Sequence, residues 1–129
     1  MASILRVNTL TDASSNNSIA TSFIAGGSAK SWVNFNGTST LAVRDSLNTT
    51  SVTDNSTGNY SFTLSNAMGN ADYNHTAGTI SDTAQGANFI TVLYTQVPTT
   101  TVLRINAYAF NGTIIDPTAV FPTIHGDLA

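Results

Sequence analysis

Residues 30–46, KSWVNFNGTSTLAVRDS, decide the fold. On either side of the Asn36-Gly37 pair lie two runs in which apolar and polar residues alternate. Val33 and Phe35 fall on one face of the first run. Leu41, Val43 and Leu47 fall on one face of the second, with Ala42, Arg44 and Ser46 on the other. Period-two alternation marks a half-buried strand, and Asn-Gly between two such runs marks a hairpin, although a five-residue loop admits several turn types. Trp32 then lies opposite the Val33 and Phe35 row, as an inter-subunit anchor or a ligand platform.

The same pattern spreads outward along the chain. SILRVNTL alternates weakly into the turn-rich TDASSNNS, and IATSFIAGG is a short apolar piece stopped by Gly26 and Gly27. TTSVTD leads through NSTGN to YSFTLS, which alternates Tyr60, Phe62 and Leu64 with serine and threonine. Tyr73, His75 and Ala77 share a face in ADYNHTAGTI. NFITVLYT, apolar on both faces, reads as a central strand covered on both sides. VLRINAYAF turns Leu103, Ile105, Ala107 and Ala109 inward, and a second Asn-Gly, Asn111-Gly112, leads to TII. Asp116-Pro117 initiates a turn, and AVFPTIHG reads as an edge strand because Pro122 cannot donate to a ladder. No segment sustains a helical period. Eight or nine short strands at this spacing predict an all-β sandwich or barrel. Residues 1–28 form an N-terminal strand/loop segment for attachment or assembly, and residues 29–129 form a single antiparallel, jelly-roll-like β-sandwich of about eight strands.

A chain of 129 residues is one domain on size. It has no cysteine, so disulfides and thiolate metal sites are excluded. MASILRVNTL lacks the apolar core of a signal peptide, and no window reaches the about 18 apolar residues of a membrane span, so a product made in a cytoplasm without membrane insertion is expected. Four basic residues and a net charge of −3 exclude nucleic-acid backbone binding. Only 9% of residues are charged, against roughly 25% in an ordinary domain, and glutamate is absent. Ser, Thr and Asn supply 49 of the 129 residues. With 41% apolar residues the chain folds, and small uncharged groups cover it. Little self-repulsion then keeps subunits apart, and no strand carries the lysines that blunt an exposed edge. These features point to a protein that lives in an assembly.

Sites for chemistry are sparse. Seven Asn-X-Ser/Thr triplets, starting at Asn16, Asn36, Asn48, Asn55, Asn59, Asn74 and Asn111, follow from the composition. Asp72 with His75 and His125 with Asp127 are the only His/Asp neighbourhoods, too few ligands for a metal. Asp12, Asp54 and Asp116 sit in turns without the alternating oxygen ligands of a calcium loop. There is no Gly-X-Ser-X-Gly elbow, and AGGSAKS lacks phosphate-loop spacing, so no catalytic residue, metal or cofactor is assigned. Trp32, Tyr60, Tyr73, Tyr94, Tyr108 and Phe110 are the aromatics able to stack on sugars. Core or subunit interface is the commoner role for such residues. Trp32, Tyr73, Tyr108 and Phe110 are the interface or ligand-contact candidates. Arg44 and Asp45 read as a local surface or inter-subunit pair.

The segments GGSAKSWVNFNGT, VRDSLN, SVTDNSTGNYSFTLSNAM and the ending DPTAVFPTIHGDLA resemble the C-terminal module of tail-fibre and related virion structural proteins of tailed bacteriophages, particularly marine and cyanobacterial ones. The resemblance implies a trimeric, all-β, non-enzymatic virion component exposed at the particle surface. It gives no residue-level receptor motif. Fibres of this kind carry a long attachment region and shaft, whereas Met1 here runs almost directly into the module. The expected function is a homotrimeric short tail fibre or fibre tip contacting a host surface glycan or protein. A capsid cement or decoration protein is the alternative.

Overall fold

The computed structural model describes residues 4–80, 88–92 and 97–129. Among them run β1 (Thr9–Thr11), β2 (Ser18–Ala20), α1 (Thr21–Gly27), β3 (Ala29–Asn36), β4 (Ala42–Leu47), β5 (Thr49–Ser56), β6 (Asn59–Leu64), β7 (Asn74–Ile80), β8 (Asn88–Val92), β9 (Val102–Ala109) and β10 (Ala119–His125). The protein is all-β and its ladders are antiparallel. Sheet I has the order β4-β3-β10-β7 and sheet II the order β5-β6-β9-β8, with β1-β2 as a separate ladder. Inward residues of the inner strands share one core: Val33 and Phe35, Val120 and Ile124, Tyr60 and Phe62, Leu103 and Ile105. The strand order does not show a jelly-roll wrap, because the hairpins β3–β4, β5–β6 and β8–β9 each stay within one sheet.

The hairpin of residues 30–46 forms, but a bulge changes its faces. Asn34 pairs with Asp45 and Phe35 with Val43, so Arg44 is an extra residue on β4. One extra residue inverts the alternation beyond it. Val43 therefore shares the inward side with Phe35, while Leu47 pairs with Trp32 on the outside. Of the inward row expected for Leu41, Val43 and Leu47, Leu41 packs against the core, Val43 at the sheet edge stays 46% exposed and Leu47 turns outward. Arg44 does not pair with Asp45. Its guanidinium donates to Asn34 Oδ1 (3.0 Å) and to the Thr118 carbonyl (2.6 Å). Gly37 does not take the left-handed conformation; Ser39 does, with φ 57°. Glycine is needed at 37 because a Cβ there would strike the Tyr60 hydroxyl and lie 2.9 Å from the Pro117 carbonyl.

Three further expectations are corrected. β10 is an inner strand, not an edge. Its ladder with β7 runs unbroken from Ala119 to His125, while its pairing with β3 skips Phe121 and Pro122. A gap in one ladder accommodates the missing N–H. β8 pairs only with β9 and is an edge, so the two-faced apolarity of NFITVLYT did not mark a central strand; residues 93–96 of that run lie outside the described residues. Finally, Thr21–Gly27 is helical, a segment too short to display a helical period in sequence.

Between the sheets, Phe35 and Tyr60 meet edge to face with ring centroids 5.0 Å apart. Tyr60 hydroxyl donates to Asp116 Oδ1 (2.7 Å), which also accepts from Gly58 N (2.6 Å). Burial, helped by that hydrogen bond, pushes the Tyr60 pKa upward. Tyr60→Phe keeps the ring pair and removes the donor. It is expected to cost about 1.5–3 kcal/mol, as for hydrogen bonds to charged groups. A lower urea midpoint at unchanged slope reads out that loss.

Candidate interaction surfaces

The four aromatic candidates occupy different places and do not form one site. Trp32, half-buried on β3, faces outward from sheet I beside Leu47 of β4 and Thr123 of β10. Tyr73, one of the interface or ligand-contact candidates, is a buried strut. Its hydroxyl donates to the Thr99 carbonyl (3.0 Å), and burial pushes its pKa up to about 12. Tyr108 faces outward from sheet II, and its hydroxyl accepts from Asn106 Nδ2 (3.2 Å). Phe110, 67% exposed, follows β9 at the turn beside it. Only Tyr108 and Phe110 are near neighbours. Tyr60 is a core residue, and Tyr94 lies outside the described residues.

The outer faces of the two sheets differ in chemistry. On sheet II, β6 and β9 turn Asn59, Ser61, Arg104 and Asn106 outward, the residues alternating with the core row. Ser61 Oγ accepts from Arg104 Nε and from Asn55 Nδ2, both at 2.8 Å, and Asn55 Nδ2 also donates to Asn59 Oδ1 (2.9 Å). The face is polar and laterally hydrogen-bonded, with Ser61 and Asn106 themselves buried in it and half-buried Asn59 and one guanidinium, Arg104, reaching its surface. Sheet I instead exposes Leu47, Phe121 and Ile80 beside half-buried Trp32, interleaved on the same face with Thr123, Asn34, Asp45 and the Arg44 guanidinium held by Asn34. Phe121 pairs with Gly78, and its ring occupies the space a Cβ at Gly78 would need.

The third surface is the segment before β3. None of residues 4–28 is buried. Ile4, Leu5, Val7, Leu10, Ile19, Phe23 and Ile24 are all exposed, Phe23 at 73%. The Asp12 carboxylate closes the β1–β2 turn by accepting from Ser14 N, Asn16 N and Asn17 Nδ2, and the Asn17 bond does most to hold its pKa below the usual value. At its root the arm is fixed to sheet I. Lys30 Nζ donates to the Ala25 carbonyl and to Ser28 O and Oγ, and His125 Nδ1 meets the Gly27 carbonyl at 3.2 Å.

Among the described residues, no three His, Cys, Asp or Glu side chains converge as metal ligands, and no pocket is formed. Asp72 is exposed while His75 is half-buried under sheet I, and Asp116 spends its carboxylate on Tyr60 and Gly58. What sequence reading missed is the contrast between faces. Its signal was present in the outward positions of VLRINAYAF, namely Arg104, Asn106 and Tyr108, against Phe121 in AVFPTIHG. No helix among the described residues is long and apolar enough to cross a membrane. Comparison of the chain with protein-family models, curated proteins and solved structures gives no match.

Burial holds the His75 imidazole below its ordinary pKa of 6.5. As pH falls through that value the unfolded chain binds this proton before the folded one, so stability declines on the acid side. The thermal midpoint at pH 5 is expected to lie below that at pH 7.5, and His75→Gln to narrow the difference.

Proposed function

We propose that this chain is a structural protein of a bacteriophage virion: a homotrimeric short tail fibre or fibre tip that attaches to the host surface and has no enzyme activity. One observation carries the reading. A chain with 9% charged residues exposes an apolar arm and an apolar sheet face at once. Exposed apolar surface of that extent belongs to an interface. The phage assignment rests on the resemblance of GGSAKSWVNFNGT, SVTDNSTGNYSFTLSNAM and the C-terminal segment to virion modules. In this reading the protein is made in the cytoplasm of the bacterial host and ends in the virion. Its partners are its own copies, other virion proteins and a host surface glycan or protein.

The polar face of sheet II is the surface offered to the host. Arg104, Asn59 and Asn55 supply directional hydrogen bonds, and Tyr108 with Phe110 supplies aromatic faces. Three such faces per trimer, and several trimers per particle, turn weak contacts into stable attachment. The second reading is a capsid cement or decoration protein. The apolar arm favours it, since a clasp on a neighbouring subunit needs such a segment.

Light scattering of the purified chain is expected to give the mass of three chains. The trimer should persist in 1 M salt, because its few charges leave little for ions to screen. A trimer that dissociates in salt contradicts the apolar origin of assembly. The purified trimer is expected to compete with phage for adsorption to host cells. Failure to compete, with immunogold label on the shell, favours the decoration protein.

A further inference from the structure

We propose that the N-terminal arm, residues 4–28, of one copy docks on the outer face of sheet I of a second copy, and that this contact builds the oligomer. The inference rests on the homo-oligomeric reading above and names the two surfaces that meet. The arm does not hold itself together. β1 and β2 have three residues each, and α1 has seven with no side-chain cap bond. Ladders and helices this short are marginal in water without tertiary packing. Yet no residue of the arm is buried against its own sandwich.

The complementary surface is on the same chain. Leu47 and Phe121 are 47% and 38% exposed on sheet I, with Trp32 between them and Ile80 at the β7 end. Charge does not oppose the contact: the arm carries Arg6 and Asp12, and the face carries Asp45 and an Arg44 already held by Asn34 and the Thr118 carbonyl, one charge of each sign on either side. The areas agree as well. Seven exposed apolar side chains on the arm offer on the order of 500 Å². A stable interface needs about 800 Å² per partner, so the arm's backbone and its Ser and Thr side chains supply the rest.

Edge-to-edge pairing is the competing way to assemble, and the fold works against it. β4 carries the Arg44 bulge and β5 carries register shifts at Thr49/Ser51 and Asp54/Ser56. Bulges twist an edge away from added strands. The other two edge strands, β7 and β8, lie against each other. That leaves faces and the arm. A contact from arm to face is heterologous, so each subunit gives one arm and receives one, and repetition about a rotation axis closes a ring.

Two full-length variants test this. Phe23→Ser with Ile24→Ser spoils the arm; Leu47→Ser with Phe121→Ser spoils the face. All four side chains lie outside the core, and cooperative thermal unfolding checks that each variant folds. By light scattering each variant alone is expected to be monomeric, because every contact then lacks one side. Mixed together they are expected to form a two-chain species, with the intact arm of the face variant on the intact face of the arm variant. Face variants that still oligomerise alone indicate arm-to-arm contact, and arm variants that still oligomerise alone indicate face-to-face contact. Either result overturns the proposal while the homo-oligomeric reading stands. Monomeric variants whose mixture stays monomeric overturn it too. A wild-type chain that is monomeric at every concentration overturns both. Trp32, the only tryptophan, gives a readout independent of the variants. Its emission in the wild type is expected to move to the red as dilution separates the subunits, and an emission unchanged through dissociation counts against docking on sheet I.

Discussion

The sandwich depends on Tyr60. Its ring packs edge to face on Phe35 of the opposite sheet, and its hydroxyl reaches Asp116 Oδ1 and, at 3.3 Å, the Gly37 carbonyl. Three turns far apart in sequence are thereby tied at one end of the molecule: the β3–β4 loop, the β5–β6 turn at Gly58 and the connection entering β10. The tie tolerates little added volume. Gly58 has φ +63°, and a Cβ on it would lie 2.7 Å from the Ile115 carbonyl and 2.8 Å from that of Ala107. A buried hydroxyl without an acceptor is costly. The Asp116 carboxylate therefore fixes how the β9–β10 connection lies on the core, and with it which β10 residues turn outward. Phe121 stands on the outer face of sheet I because Val120 and Ile124 are held inward.

Alternation made most of the inner strands legible. Tyr60, Phe62 and Leu64, and Leu103, Ile105 and Ala107, are buried as their spacing requires. Alternation assumes an uninterrupted register, which is why it failed at Arg44, where one extra residue put Val43 and Leu47 on opposite faces. It says nothing of which strands are neighbours. Pro122 argued for an edge by a sound local rule, but an inner strand with a gap in one ladder satisfies the same rule. Asp116 was legible only as a turn residue, because its partners Gly58 and Tyr60 lie 58 and 56 residues away. The candidate surfaces were half legible for a related reason. Trp32 was placed on the correct side of its strand by alternation, while its neighbours there, Leu47 and Thr123, follow from a bulge and a long-range pairing.

The low charge of the chain bears differently on its two outer faces. On sheet II, Asn55, Asn59 and Ser61 satisfy one another laterally, while Asn106 Oδ1 is buried without a hydrogen-bond partner among the described residues. On sheet I the lateral hydrogen bond from Arg44 to Asn34 stands beside Trp32, Leu47, Phe121 and Ile80, which have no such outlet. A charged surface would keep copies apart whatever the apolar content of one patch. Here four cationic and seven acidic side chains are spread over the whole chain, and Arg44 and Asp116 are already engaged in fixing the fold. Association is then decided by shape and apolar area. The bulged edges β4 and β5 remove the strand-to-strand route that a charge-poor β-protein would otherwise follow toward open-ended aggregation. In the proposed assembly a closing contact would come from the tethered apolar arm and the apolar side chains of the sheet it is rooted beside, one of each per subunit.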